Sequence, residues 1–222
     1  MNQITKTSLV AALLASASIG AFAAETADLT VKGVIKPAAC NITLSGGAIV
    51  DFGNIPANTL SDTGFTNVGK KRFDISVSCD AATKFGLSAV DNRAGTVPTG
   101  IGNFLASNQN DTVVYGTGED SGKKIGGYLI ARTGEPTVDG ATGSLLVSDN
   151  GGPWAFASSG WGAMAPTRVQ SPSLSGSSVP GQFKTFTQSY EVWLAVNKKA
   201  DLPSLTKDIN IDGMATFTLK YL

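Results

Sequence analysis

The 222-residue sequence contains no histidine. Without an imidazole, Ser-His-Asp and Cys-His catalysis in their usual forms are excluded, and the commonest zinc ligand is missing. Cysteine is almost as scarce, with Cys40 and Cys79 the two present. An excess of charge of one sign is also lacking: 17 basic residues face 17 acidic ones. That balance gives no electrostatic footprint for nucleic acid and no polybasic patch for an anionic membrane. No phosphate-binding glycine motif leads from a strand into a helix, since Gly100-Ile101-Gly102 and Gly151-Gly152 fall in loop context. The acidic residues Asp111, Glu119, Asp120 and Glu135 sit in polar loops and read as solvated charge, not as a paired-carboxylate hydrolase site. Together these absences argue against an enzyme, and no cofactor or metal is expected.

What is present begins with an export signal. Residues 1–23 carry Lys6, then an uncharged apolar run over residues 9–22, then Ala21-Phe22-Ala23, which fits the small-x-small cleavage pattern. The run is too short to span a bilayer comfortably, and no later segment approaches ~18 uninterrupted apolar residues. Cleavage after Ala23 is therefore expected, with no membrane insertion of the mature chain. Residues 24–222 are enough for one sizeable core, and no repeat or linker divides them. Only Lys6 among the charged residues is lost with the signal, so the mature charges still balance to within one.

The mature segment is rich in Gly, Ser, Thr, Val and Ala, with short apolar stretches punctuated by Gly, Asn, Asp and Pro. This composition and punctuation predict an all-β sandwich or barrel. Strands are expected over residues 28–35, 48–53, 73–79, 84–90, 112–115, 125–131, 143–147, 183–196 and 209–222. Residues 57–70, 91–112 and 149–181 read as loops. The cleanest alternation is 73–79, where Phe73, Ile75, Val77 and Cys79 share one face and Cys79 points to the core. Cysteines in even number in an exported chain suggest one disulfide, closing a loop of about 40 residues and contributing roughly 4 kcal/mol. Two buried free thiols are the alternative. A metal site is the poorer one, because two thiols without histidine leave a ligand set incomplete.

The final ten residues also alternate: Ala215, Phe217, Leu219 and Tyr221 against Thr216, Thr218 and Lys220. This predicts a strand with one buried face, either the last strand of a closed domain or one whose edge is offered to another chain. Trp154, Phe156 and Trp161 lie in a Gly/Ser-rich stretch; aromatic side chains there can stack on sugar faces, fill a partner's pocket or cap the end of a sandwich.

The chain resembles the pilin subunits assembled by the chaperone–usher route in Gram-negative bacteria, closest to a β-fimbriae-like branch. The resemblance is carried by the signal segment, Val31-Lys32-Gly33, Ala38-Ala39-Cys40 and Val50-Asp51-Phe52-Gly53-Asn54-Ile55-Pro56. Phe73-Asp74-Ile75-Ser76-Val77-Ser78-Cys79 and the closing Ala215-x-Phe217-x-Leu219-x-Tyr221-Leu222 complete it. It implies an immunoglobulin-like Greek-key sandwich lacking its last strand, with Cys40 and Cys79 tying the first strand to the second. Ala215, Phe217, Leu219 and Tyr221 would border an acceptor groove. The extension over residues 24–32, with Ala27, Leu29 and Val31, would be the strand donated to a neighbouring subunit. The partners implied are a periplasmic chaperone, an outer-membrane usher and neighbouring pilins. The place implied is the cell-surface fimbria, reached through the periplasm. The pilin-like start follows the expected signal directly, so a preceding lectin domain is not expected; the extra length falls in long loops at about 91–127 and 148–182, where a ligand would be bound. The competing reading is a secreted, complete β-sandwich that binds carbohydrate or protein through the 148–182 loop.

Overall fold

The structure is a computed structural model that describes residues 26–36, 38–149, 151–157 and 162–222. The expected signal segment, Ala24, Pro37 and Trp161 lie outside the described residues. The chain parts into two units after Lys36.

In the first unit, residues 26–36 form no strand, which corrects the expectation for 28–35. Leu29 and Val31 are 89% and 86% exposed. An alternating pattern makes a strand only where another strand supplies partners for its N–H and C=O groups.

The second unit is all-β. Its strands are β1 (Cys40–Leu44), β2 (Thr66–Asp91), β3 (Tyr115–Gly116), β4 (Glu119–Asp120), β5 (Lys123–Lys124), β6 (Gly126–Val138), β7 (Ala141–Asp149), β8 (Ala155–Phe156), β9 (Arg168–Leu174), β10 (Gln182–Val196) and β11 (Ala215–Tyr221). Every pairing is antiparallel. The 26-residue β2 belongs to both layers. Its first half pairs with β1 on one side and β10 on the other, and β10 continues the layer through β6 to β3. Its second half pairs with β11 and β9, and β9 continues through β7 to β8. The stretches read as separate strands at 73–79 and 84–90 are thus one element, which begins inside the segment expected to be loop.

The core lies between the layers. Phe73, Ile75, Val77 and Cys79 contribute one row from the first half of β2, with Tyr190, Val192 and Leu194 beside it on the neighbouring β10, and Phe85, Leu87 and Ala89 contribute another from the second half. Phe73 stacks on Tyr190 at 5.7 Å, and Phe85 meets Phe186 edge-on at 5.8 Å. A second cluster, Ile101, Val114, Leu129 and Ala195, forms where the short helix α1 (Ile101–Leu105) lies against β6 and β10. Much of the long 91–127 excursion is therefore a cover for part of this layer, not a free loop.

Other expectations need correction. Residues 49–56 form no strand. They follow Gly46, Gly47 and Ala48, all at positive φ (65°, 66° and 63°), a left-handed turn that carries the chain away from β2. Residues 111–113 are a single 3-10 turn, so the strand expected at 112–115 is reduced to β3. The final strand begins at Ala215 and not at 209. Within 149–181 the structure contains β8 and the well-buried β9, where loop was expected. Cys40 and Cys79 are bonded, and they face one another in the β1–β2 register. Among the described residues no helix is long and apolar enough to cross a membrane.

Candidate functional site: a trench beside the last strand

Among the described residues, β11 pairs with no strand but β2, and the same holds for β1. Beyond the end of β1, the chain leaves β2 at the Gly46–Gly47–Ala48 turn and returns as the irregular stretch that ends near Leu60. Before β11, residues 203–214 run without strand pairing. Between these two arms lies a trench with two compartments, which share Val50, Phe52 and Ile211 in their linings.

The first compartment holds about 360 Å³. Its floor is Phe73 from β2, Tyr128 and Ile130 from β6, and Val192 and Leu194 from β10. One wall is Leu44, Ala48, Val50 and Phe52; the other is Ile211, Gly213, Met214, Ala215 and Phe217. The second compartment, about 620 Å³, has Leu60, Ile125, Val196, Leu202 and Ile209 at its base, with Asp51, Asn54, Lys207, Asp208 and Asn210 around them. A mainly apolar compartment that runs on into a larger, more polar one makes a cleft of the kind that binds a ligand.

The wall ahead of β11 is held in place. The Asp212 N–H donates to Thr117 O at 2.9 Å. Arg93 Nε donates to Asp212 O at 3.0 Å and to its Oδ2 at 3.1 Å. At Gly213 a Cβ would stand 2.6 Å from Tyr128 Cε1, so glycine lets the wall approach the ring. Tyr128 stacks on Tyr115 at 5.2 Å. Burial pushes the phenol pKa of Tyr128 and Tyr115 above the ordinary tyrosine range; Asp91 adds to the effect at both, and Tyr128 adds to it at Tyr115. No residue of the floor is acidic or basic. Thr117, 1% exposed, also lines the first compartment, and its Oγ1 has no hydrogen-bond partner.

The residues singled out in the sequence divide here. Ala215 and Phe217 line the first compartment, and the Phe217 ring lies 6.1 Å from Phe73. Leu219 packs on the core below, in neither compartment. Tyr221 is exposed, and its hydroxyl accepts a hydrogen bond from Cys40 N at 3.0 Å, joining the end of β11 to the start of β1. Neither the half-buried Trp154 nor Phe156, 47% exposed on β8, lines the trench. The floor from β6 and β10, together with Ile211 and Met214, was not identified from sequence; the alternating Val50 and Phe52 were the available signal for the opposite wall. Among the described residues no group of three or more Cys, Asp or Glu could hold a metal ion.

Residues 29–129 match the family described as a protein of unknown function (DUF1120). The DUF1120 match runs from the exposed Leu29 through the disulfide and all of β2 into β6, and so takes in the Val50–Phe52 wall but not β11. Along nearly its whole length the chain is similar to Protein GltF of Escherichia coli (strain K12), 27% identical over an alignment of 252 positions covering 96% of each protein. It is also 33% identical to Uncharacterized protein YhcF of the same organism over 91 positions, 40% of this chain and 38% of that protein.

Proposed function

We propose that this protein is a structural subunit of a chaperone–usher fimbria, and that its trench receives a β-segment from a second copy of the chain. The observation that carries the reading is the apolar compartment flanked by the unpaired side of β11. A strand entering there would hydrogen-bond along β11 and place alternate side chains on Phe73, Tyr128 and Val192, the general mode of strand addition to a sheet edge. The segment of stated chemistry is present in the chain: residues 24–32, in which Ala27, Leu29 and Val31 fall on one side of an extended backbone. The exposure of Leu29 and Val31 leaves that side available. The disulfide fits passage through an oxidising compartment. On this reading a periplasmic chaperone fills the trench first, and an usher directs its replacement by the next subunit at the cell surface.

The test is assembly. Exported protein should form multimers that persist in detergent, and deletion of residues 24–32 should abolish them while the deleted chain still accepts the segment from an intact one. Multimers unchanged by the deletion would overturn the reading. So would a stable, fully folded monomer made without a chaperone.

A further inference from the structure

A second concavity, outside the trench, lies at the end of the sandwich where the loops before β2, before β6 and after β10 converge. It holds about 590 Å³. Its lining brings together Lys123, Lys124 and Lys198, with Asp201 as the one carboxylate among the described residues. Lys198 pairs with Asp201 at 3.4 Å. Lys123 and Lys124 meet no carboxylate among the described residues. Lys123 Nζ donates to Leu202 O at 2.7 Å and Ala200 O at 3.3 Å; Lys124 Nζ donates to Val97 O at 3.0 Å. An ammonium group carries three donors, so one remains on Lys123 and two on Lys124. Main-chain carbonyls orient these two cations without neutralising them.

We infer that this concavity binds an acidic sugar, with its carboxylate between Lys123 and Lys124. Two ammonium groups that form no ion pair, although Asp120 and Glu119 lie opposite them in the β4–β5 register, favour an anion in the recess. The volume falls within the range of small-molecule sites. Phe65, tilted against Phe104 with ring centroids 5.5 Å apart, gives the lining an apolar face that suits the C–H side of a pyranose. The exposed Thr63 and Thr99 bring hydroxyl groups to the mouth for the sugar's own. No arginine lines the recess to grip a phosphate bidentately, and the remainder of the chain is not basic enough to hold a polyanion.

The experiment titrates the purified exported protein with galacturonic acid, galactose and inorganic phosphate, following backbone amide resonances. Galacturonic acid should shift the amides of Phe65, Thr99, Lys123 and Lys124, and the affinity should fall with added salt. Galactose should leave them in place, and phosphate should not displace the uronate at equal concentration. The double substitution K123Q/K124Q removes two charge-assisted contacts and should weaken binding about tenfold or more. Because both lysines also hold loop carbonyls, Thr99→Asp provides a second variant: it adds a repelling charge at an exposed position, should abolish uronate binding, and should leave the melting temperature unchanged. Binding that survives both variants overturns the inference. So does equal binding of galactose, displacement by phosphate, or no shift at millimolar uronate.

Discussion

A peptide carrying residues 24–35 should raise the melting temperature of the chain from which residues 24–32 have been deleted, whose trench has no segment of its own kind to receive. Leu29 and Val31 are almost fully exposed, and burying side chains of this size contributes about 1.5–3 kcal/mol each. About six main-chain hydrogen bonds along β11, at ~0.5–1.5 kcal/mol apiece, would add ~3–9 kcal/mol. Against this stand ~4–15 kcal/mol of lost translational and rotational freedom and the cost of ordering the peptide. A gain that exceeds this cost by ~4–8 kcal/mol corresponds to a dissociation constant between the millimolar and micromolar ranges. Peptide at a hundred times that constant stabilises the folded state by ~2.7 kcal/mol, which in a domain of this size is a rise of about 5–10 °C. Scanning calorimetry across a peptide series reads it directly. A peptide with Leu29→Asp and Val31→Asp would bury two unpaired carboxylates on Phe73 and Tyr128, and should give no rise. The reasoning is refuted if the doubly substituted peptide stabilises as well as the natural one, or if millimolar natural peptide has no effect.

Other outcomes follow from the same geometry. Cys79→Ala opens the bridge that spans 39 positions and should cost about 2–5 kcal/mol in denaturant unfolding; an unaltered midpoint would show that the bridge does not hold the fold. Gly213→Val sets a side chain against the Tyr128 ring and should lower stability by about 1–3 kcal/mol, seen as a lower melting temperature and weaker capture of the peptide. The pH profile should have two limbs. Burial raises the phenol pKa values of Tyr115, Tyr128 and Tyr190, so the unfolded chain releases those protons first; their stabilisation is whole below the ordinary tyrosine value of ~10 and is lost as pH rises beyond it. Hydrogen bonds from Arg168 and Arg72 hold Asp149 and Glu191 below the usual carboxylate range; that contribution is whole above pH ~4 and fades as pH falls through the lowered values. Urea midpoints that rise steadily from pH 9 to 11 would contradict the first limb.

The fold class was legible because alternation is a local signal. Phe73 to Cys79 and Phe186 to Val196 state which face is inward without knowledge of their neighbours. The strand β9 was invisible for the opposite reason. Its buried residues Gln170, Ser171 and Ser173 are polar, and their partners come from elsewhere: the Tyr190 hydroxyl donates to Gln170 Oε1 at 2.5 Å, Ser171 Oγ donates to Phe85 O at 2.7 Å, and Ser173 Oγ donates to Ser144 O at 3.3 Å. A polar run with a proline reads as loop until those partners are known. Half of the trench could be anticipated, since Ala215, Phe217, Val50 and Phe52 belong to patterned stretches. Its floor could not: Tyr128, Val192 and Leu194 are buried core residues, and that they also line a cavity depends on where the chain leaves β2 at Gly46 and Gly47. Residues 28–35 carry the pattern of a strand but lack the neighbour that would make them one.

The position of β11 has a kinetic consequence. Its mate is the far half of β2, and Asn92 reaches Thr216 across 124 positions, while Tyr221 reaches Cys40 across 181. Synthesis delivers the amino end first, so the second half of β2 waits with a bare margin until β11 has been made. Contacts this remote in sequence close slowly, and an unfilled sheet margin invites aggregation in the interval. A chain whose synthesis stops before β11 is made leaves that margin of β2 uncovered.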